Sequence, residues 1–350
     1  MSTESPRVLV TGASGYIALH IVHLLLKEGY RVRGTVRDLH SQAKIKPLKD
    51  IFPHSRYPLE LVEADLNKDD GWEEAVRDCS YVMHVASPCP DVHPETEDDL
   101  ILPAVEGTKR VLRACAHSGT VKRVVLTSSN AAIHGPSVRV ENNRVYNEED
   151  WSDPDSPDLN TYGKSKTLAE KTAWEFVDQL EEGKKFELAV INPCITIGPS
   201  FSKNASSSVG VVLRLMNKSI PLIPPVSFSL CDVRDVALAH LRAMVTPEAA
   251  GQRHLVANVN IMMKEIACIL HNEFAPQGYW ISTLTAPYLI FWIASFFHRS
   301  LNFILPRCGN IVRYSNERLK NVLRIQPRNI NETILDTAYS LLEHGNLSKM

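Results

Sequence analysis

The stretch Val8-Leu9-Val10-Thr11-Gly12-Ala13-Ser14-Gly15-Tyr16-Ile17-Ala18 leaves this chain few ways to fold. An apolar run of strand type is followed at once by a turn of small residues and then by a helix start. The first glycine permits a tight turn, the second lets backbone N–H groups approach a ligand, and the small third residue lets helix and strand pack closely. The N-terminus of such a helix carries unpaired N–H groups and a positive dipole end, which suits a dinucleotide pyrophosphate. Thr11, Gly12, Ser14, Gly15, Tyr16 and Ile17 are therefore the expected phosphate-side residues.

The pattern continues beyond the turn. Apolar runs at 7–11, 31–35, 60–64, 81–86, 123–127 and 187–192 alternate with amphipathic stretches, as in a parallel sheet covered by helices. Ile17, Ile21, Leu24 and Leu25 define a helix that should end at Gly29, and a second helix is expected over about 98–118. The fold class is α/β, a doubly wound Rossmann-type parallel sheet of six strands with a smaller C-terminal lobe. After Pro193, prolines at 221, 224, 225, 247, 276, 287, 306 and 327 break the regularity. The core is placed mainly at 5–195 and an interleaved substrate lobe mainly at 196–345.

The end of the second strand bears on cofactor choice. An acidic side chain there bonds the ribose 2′-hydroxyl, whereas an arginine accommodates a 2′-phosphate. Arg37, with Arg33 before it and Lys44 after, favours NADP(H); Asp38 keeps NAD(H) possible, and Arg33 and Lys44 read equally as surface charge. Asp65 and Leu66 follow the third strand, where a carboxylate can receive the adenine amino group. Val85, Ala86 and Ser87 end the fourth strand and Thr127 ends the fifth, while Pro193, Ile195 and Thr196 follow the sixth, where a turn can cover the nicotinamide.

A second motif supplies chemistry. Tyr162-Gly163-Lys164-Ser165-Lys166 sets a phenol and an ammonium one helical turn apart, after the strand end Thr127-Ser128-Ser129. Tyr162 is read as the acid that protonates a carbonyl oxygen, Lys166 as the cation that favours the phenolate and anchors the cofactor ribose, and Ser129 as the donor that polarises the carbonyl. The expected substrate is a small-molecule carbonyl compound or the corresponding alcohol.

These motifs resemble the extended short-chain dehydrogenase/reductases and, among them, the dihydroflavonol reductase-like group with cinnamoyl-CoA, anthocyanidin and yeast-type ketone/aldehyde reductases. Val32 to Asp38, His84 to Pro88, Pro103 to Thr108 and Asp232 to Ala237 extend the likeness along almost the whole chain. The resemblance implies an NADPH-dependent reductase whose Ser–Tyr–Lys triad falls on Ser129, Tyr162 and Lys166. Ala18 replaces the third glycine, Asn130 stands where plant members commonly carry alanine, and Pro287–Leu305 is bulkier and more aromatic, so a flavonoid substrate does not carry over.

Bulk properties narrow the alternatives. A net charge of −2 provides no field to gather nucleic acid. Seven scattered cysteines without a C-x-x-C pair suggest neither disulfides nor a metal site, and with the short polar N-terminus they fit a cytoplasmic protein. Leu284–Leu305 is apolar, but Pro287 and His298-Arg299 keep it short of the ~20 residues a spanning helix needs. With Tyr288, Phe291, Trp292, Phe296 and Phe297, this segment reads as a buried or substrate-lining helix that selects an apolar carbonyl over a sugar. A membrane contact through Trp280, Tyr288 and Trp292 is its alternative. Competing functions are a sugar-nucleotide epimerase or dehydratase, a 3β-hydroxysteroid dehydrogenase-like enzyme and a non-catalytic NADPH sensor. Nothing in the sequence sets the oligomeric state.

Overall fold

The computed structural model describes residues 5–88, 96–135, 140, 144–203, 208–297 and 305–347, with the side chains of 42–44, 294 and 306 excepted. The chain runs β1 (Arg7–Val10), α1 (Tyr16–Lys27), β2 (Arg31–Val36), α2 (Gln42–Ile51), β3 (Glu60–Glu63), α3 (Trp72–Val76), β4 (Tyr81–His84), α4 (Asp98–Ser118), β5 (Arg123–Thr127) and β6 (Val145–Tyr146). It continues through α5 (Thr161–Asp178), β7 (Glu187–Pro193), β8 (Ile195–Ile197), α6 (Gly210–Met216), β9 (Ser227–Asp232), α7 (Val233–Val245) and β10 (Arg253–Val256). The last elements are β11 (Val259–Met262), α8 (Met263–Phe274), α9 (Tyr288–Ser295), β12 (Arg313–Tyr314), α10 (Glu317–Asn321) and α11 (Ile330–Glu343).

Successive side chains of a strand face opposite ways, and β1 shows the result. Val8 and Val10 pack with α1 and α7 on one face of the sheet, while Leu9 packs with α3 and α4 on the other. The large sheet is parallel throughout, in the order β10-β7-β5-β4-β1-β2-β3. Its winding reverses between β1 and β4, and ligands of such sheets bind at that reversal, beyond the carboxyl ends of the strands.

All six expected strands are present, and β10 adds a seventh. That strand is four residues long, opens with Arg253-His254 and lies in the proline-punctuated region, so no apolar period announces it. The fourth strand is shorter than its apolar run because Val85 and Ala86 turn their N–H groups onto the Thr11 hydroxyl, at 3.0 and 2.9 Å. Helix α1 closes as expected, with Gly29 just beyond it at φ +81°.

The lobe holds a three-stranded sheet, β11-β9-β8, packed with α6, α8 and α11 around a third apolar cluster. Between β9 and β11 the chain returns to the large sheet as α7 and β10. Asp232, the N-cap of α7, fixes this crossing: it pairs with Arg234 at 2.6 Å and accepts from Thr333 of α11 at 2.8 Å, and Arg234 reaches Asp336 at 2.7 Å. Among the described residues no helix is long and apolar enough to cross a membrane.

Candidate active site

The glycine turn meets the geometric demands of a phosphate cradle. Gly12 has φ +64°, and a Cβ there would lie 3.1 Å from the Ala86 Cβ. The turn is braced from below by Thr35, whose hydroxyl and carbonyl accept from the N–H groups of Gly12 and Ala13, each at 2.9 Å. Thr11 lies beneath the cleft rather than in its wall. Its hydroxyl already accepts two N–H bonds, so its one proton goes to His84 Nδ1 at 3.0 Å. Burial, aided by the Lys166 charge, lowers the His84 pKa to about 3, so this histidine stays neutral with its proton on Nε2. Gly15 caps α1 with no side-chain bond, leaving the first-turn N–H groups for a ligand's oxygens. The residues present therefore fit a dinucleotide.

A cleft of about 1470 Å³ opens over this turn. Gly12, Ser14, Gly15, Tyr16, Ile17, Arg37, Asp65, Leu66, Val85, Ala86, Ser87, Thr127, Pro193, Ile195 and Thr196 all line it. The side chain of Lys44 lies outside the described residues. Tyr16 spans the cleft floor, its hydroxyl donating to the Gly198 carbonyl at 2.9 Å. Arg37 is exposed and makes no ion pair among the described residues, whereas the neighbouring Asp38 accepts from His40 N–H at 2.8 Å. Arg33 belongs neither to the cofactor site nor to the surface. It is buried, donates to the carbonyls of Glu74, Ala75 and Arg77 at the end of α3, and pairs with Glu60 at 2.8 Å.

Three catalytic candidates face the same cleft. Asn160 caps α5 by accepting from Gly163 N–H at 2.8 Å, and Gly163 leaves no room for a Cβ, which would meet Leu159 at 2.5 Å. This close start turns Tyr162 outward, 46% exposed and lining the cleft, and one turn later sets the buried Lys166 with its Nζ 5.9 Å from the tyrosine ring centre. Ser129 caps the single turn after β5, its Oγ accepting from Ala131 N–H at 3.1 Å. Among the described residues the serine proton has only a long contact, 3.4 Å to Asn130 Oδ1, and a carbonyl oxygen in the cleft would be a better acceptor.

A buried polar network below these residues has no counterpart in the sequence reading. Glu170, one turn beyond Lys166 on α5, accepts from Arg253 Nε at 2.6 Å, from Asn192 Nδ2 at 2.8 Å and from the Ser128 hydroxyl. Asn192 also donates to the Ser129 carbonyl at 3.2 Å, and Arg253 stacks 3.7 Å over Trp151. The network ties α5 to the ends of β5, β7 and β10. Its only trace in the sequence is a charged residue four places after Lys166 and an asparagine closing an apolar strand. Asn130 is held in turn by Tyr314, whose hydroxyl accepts from it at 2.9 Å and donates to the His134 carbonyl at 3.2 Å.

The expected aromatic wall is reduced to one ring. Phe291 is buried and lines the cleft, whereas Tyr288, Trp292, Phe296 and Phe297 are exposed, Phe297 by 81%. An eight-residue helix that is apolar all round can bury only the face that meets the lobe.

Known proteins resemble this chain along most of its length. The NADPH-dependent methylglyoxal reductase GRE2 of Saccharomyces cerevisiae is 35% identical, over 96% of this chain and 98% of its own length. Cinnamoyl-CoA reductase CAD2 of Medicago truncatula is 37% identical over 72% of this chain and 76% of its own. The crystal structure of yeast methylglyoxal/isovaleraldehyde reductase Gre2 complexed with NADPH superposes with a TM-score of 0.79 at 33% identity, covering 97% and 99% of the two chains. Residues 8–261 match the NAD dependent epimerase/dehydratase family, and to that family this chain belongs.

Proposed function

We propose that this protein is an NADP(H)-dependent oxidoreductase that reduces the carbonyl of a small, largely apolar aldehyde or ketone, and oxidises the alcohol in reverse. The observation that carries the reading is that Ser129, Tyr162 and Lys166 share one cleft with the glycine turn and with Arg37. NADPH, when bound, supplies the hydride. Gly12 to Ile17 would hold its pyrophosphate, and Arg37, which follows β2 and forms no ion pair among the described residues, its 2′-phosphate. Ser129 donates to the substrate oxygen as negative charge grows there, and Tyr162 gives that oxygen its proton. Lys166 favours the phenolate left behind and would hold the ribose. Val226, Phe228 and Phe291 offer the substrate an apolar wall.

Following NADPH absorbance over a panel of aldehydes, ketones, steroids and sugar nucleotides tests the proposal. Turnover should be confined to the aldehydes and ketones and should prefer NADPH. In Arg37→Ala the KM for NADPH should rise by roughly one to two decades, as expected for a charge-assisted contact of about 1.5–3 kcal/mol, with that for NADH little changed. A wild-type preference for NADH, or turnover only of sugar nucleotides, would overturn it.

A further inference from the structure

The lobe wall of the cleft contains a cation, Arg307, that forms no ion pair among the described residues. Arg307 ends a short turn, Leu305–Arg307, on a stretch that runs back along β9. Gly309 N–H donates to the Pro225 carbonyl at 3.2 Å, and Ser227 Oγ donates to the Asn310 carbonyl at 3.2 Å. The same stretch ends at Tyr314, which holds Asn130 next to Ser129, so one continuous wall joins Arg307 to the reacting end of the cleft.

The other deeply placed arginines among the described residues are each held by several partners. Arg33, Arg123 and Arg253 each donate to backbone carbonyls and pair with a carboxylate, Glu60, Glu187 and Glu170 respectively. Arg307 shares with Arg33 a buried Nε without a hydrogen-bond partner, but unlike those three arginines it forms no ion pair among the described residues. Burial alone pushes its pKa down, with no carboxylate opposing it. The only carboxylates among the described lining residues, Asp38 and Asp65, follow β2 and β3 at the glycine-turn end of the cleft, while Arg214 on α6 adds a second positive charge to the lobe side. Leaving a buried donor unpaired is unfavourable, and the planar guanidinium fork matches a carboxylate.

We infer that Arg307 is a substrate-recognition residue, and that the carbonyl compound this enzyme turns over carries a carboxylate which docks on it while its apolar body lies against Val226, Phe228 and Phe291. The inference rests on the reductase reading above and names its substrate class: oxo acids rather than neutral ketones or aldehydes.

The test is a homologous series of straight-chain oxo acids, from levulinate upward, each paired with its methyl ester and assayed with NADPH. At the chain length that spans the cleft, wild-type kcat/KM should favour the acid over the ester by about tenfold or more. Arg307→Gln should bring that ratio to about one, whatever the absolute rates, and Arg307→Lys should keep it between the two. Saturation-transfer NMR of the acid without cofactor gives a second readout and should lose its signal in Arg307→Gln. NADPH fluorescence on binding checks that the variants are folded; if the glutamine variant is not, the lysine variant decides. An acid-to-ester ratio at or below one at every length, or unchanged by substitution, overturns the inference while leaving the reductase reading intact. Absence of turnover with both acids and esters would count against the reductase reading itself.

Discussion

The two ends of the cleft are built on different principles. At the glycine turn the walls are mostly backbone: the Thr35 carbonyl and hydroxyl under Gly12 and Ala13, the Thr11 hydroxyl across to Val85 and Ala86, and the free N–H groups of α1. At the lobe end the walls are side chains on short elements, with Phe291 on the eight-residue α9 and Arg307 on a single turn. A backbone cradle serves whatever ligand shares the same phosphates; a wall of side chains changes with each residue. The first end therefore suits a cofactor common to many enzymes, and the second is where substrates would be told apart.

The sharpest way to break this division is at the residues between the two ends. Tyr162→Phe should lower kcat by roughly 10²–10⁴-fold, the contribution of a placed general acid, while NADPH affinity by fluorescence titration stays close to wild type. If turnover survived, the reacting group would have to be sought on the lobe side. Next in size is the network beneath. Glu170→Ala leaves Arg253 buried without its carboxylate, and removing one partner of a buried pair costs about 3–5 kcal/mol, to be read from urea unfolding. A loss below about 1 kcal/mol would mean that water or a neighbour replaces the carboxylate and that α5 is held by apolar contacts instead.

The same contrast explains what could be read from the residues alone. Strand alternation, the Gly12 turn, the Gly29 stop and the spacing of Tyr162 and Lys166 are local, each set by contacts within a few residues or by a repeating period. Arg33 looks from the sequence like a cofactor or surface cation because nothing marks the carbonyls of Glu74 to Arg77, more than forty positions on, as its partners. The Glu170–Arg253 pair and β10 escape for the same reason: their partners come from distant segments, and four strand residues carry no period. In α9, composition announces that the helix is apolar, but only packing decides that Phe291 turns inward and Trp292 outward.

A smaller effect tests the rigidity of the backbone end. His84 is held neutral with a pKa near 3, against about 6.5 when unfolded, so between these values the unfolded chain binds the extra proton. The stability this residue contributes is fully present above about pH 6.5 and declines as pH falls toward 3, by about 1.4 kcal/mol per pH unit. Between pH 7 and 5 the wild type should therefore lose about 2 kcal/mol that His84→Gln does not lose, measured by chemical unfolding at the two pH values. Equal losses would show that the Thr11–His84 link opens readily and that this end is less rigid than its hydrogen bonds imply.

The smallest effect discriminates most finely at the lobe end. Phe291 and Trp292 are neighbours on α9, yet the first is 8% exposed and lines the cleft while the second is 44% exposed and meets Phe296 edge-on. Phe291→Ala should change the ranking of substrates by chain length, because a cavity opens where the apolar body of the substrate would lie. Trp292→Ala should leave that ranking alone and alter stability by no more than about 0.5 kcal/mol, as for most surface substitutions. Steady-state kcat/KM across a series of straight-chain carbonyl compounds reads both. If Trp292→Ala moved the ranking and Phe291→Ala did not, α9 would have to present its other face to the substrate, and the wall that also carries Arg307 would need to be redrawn.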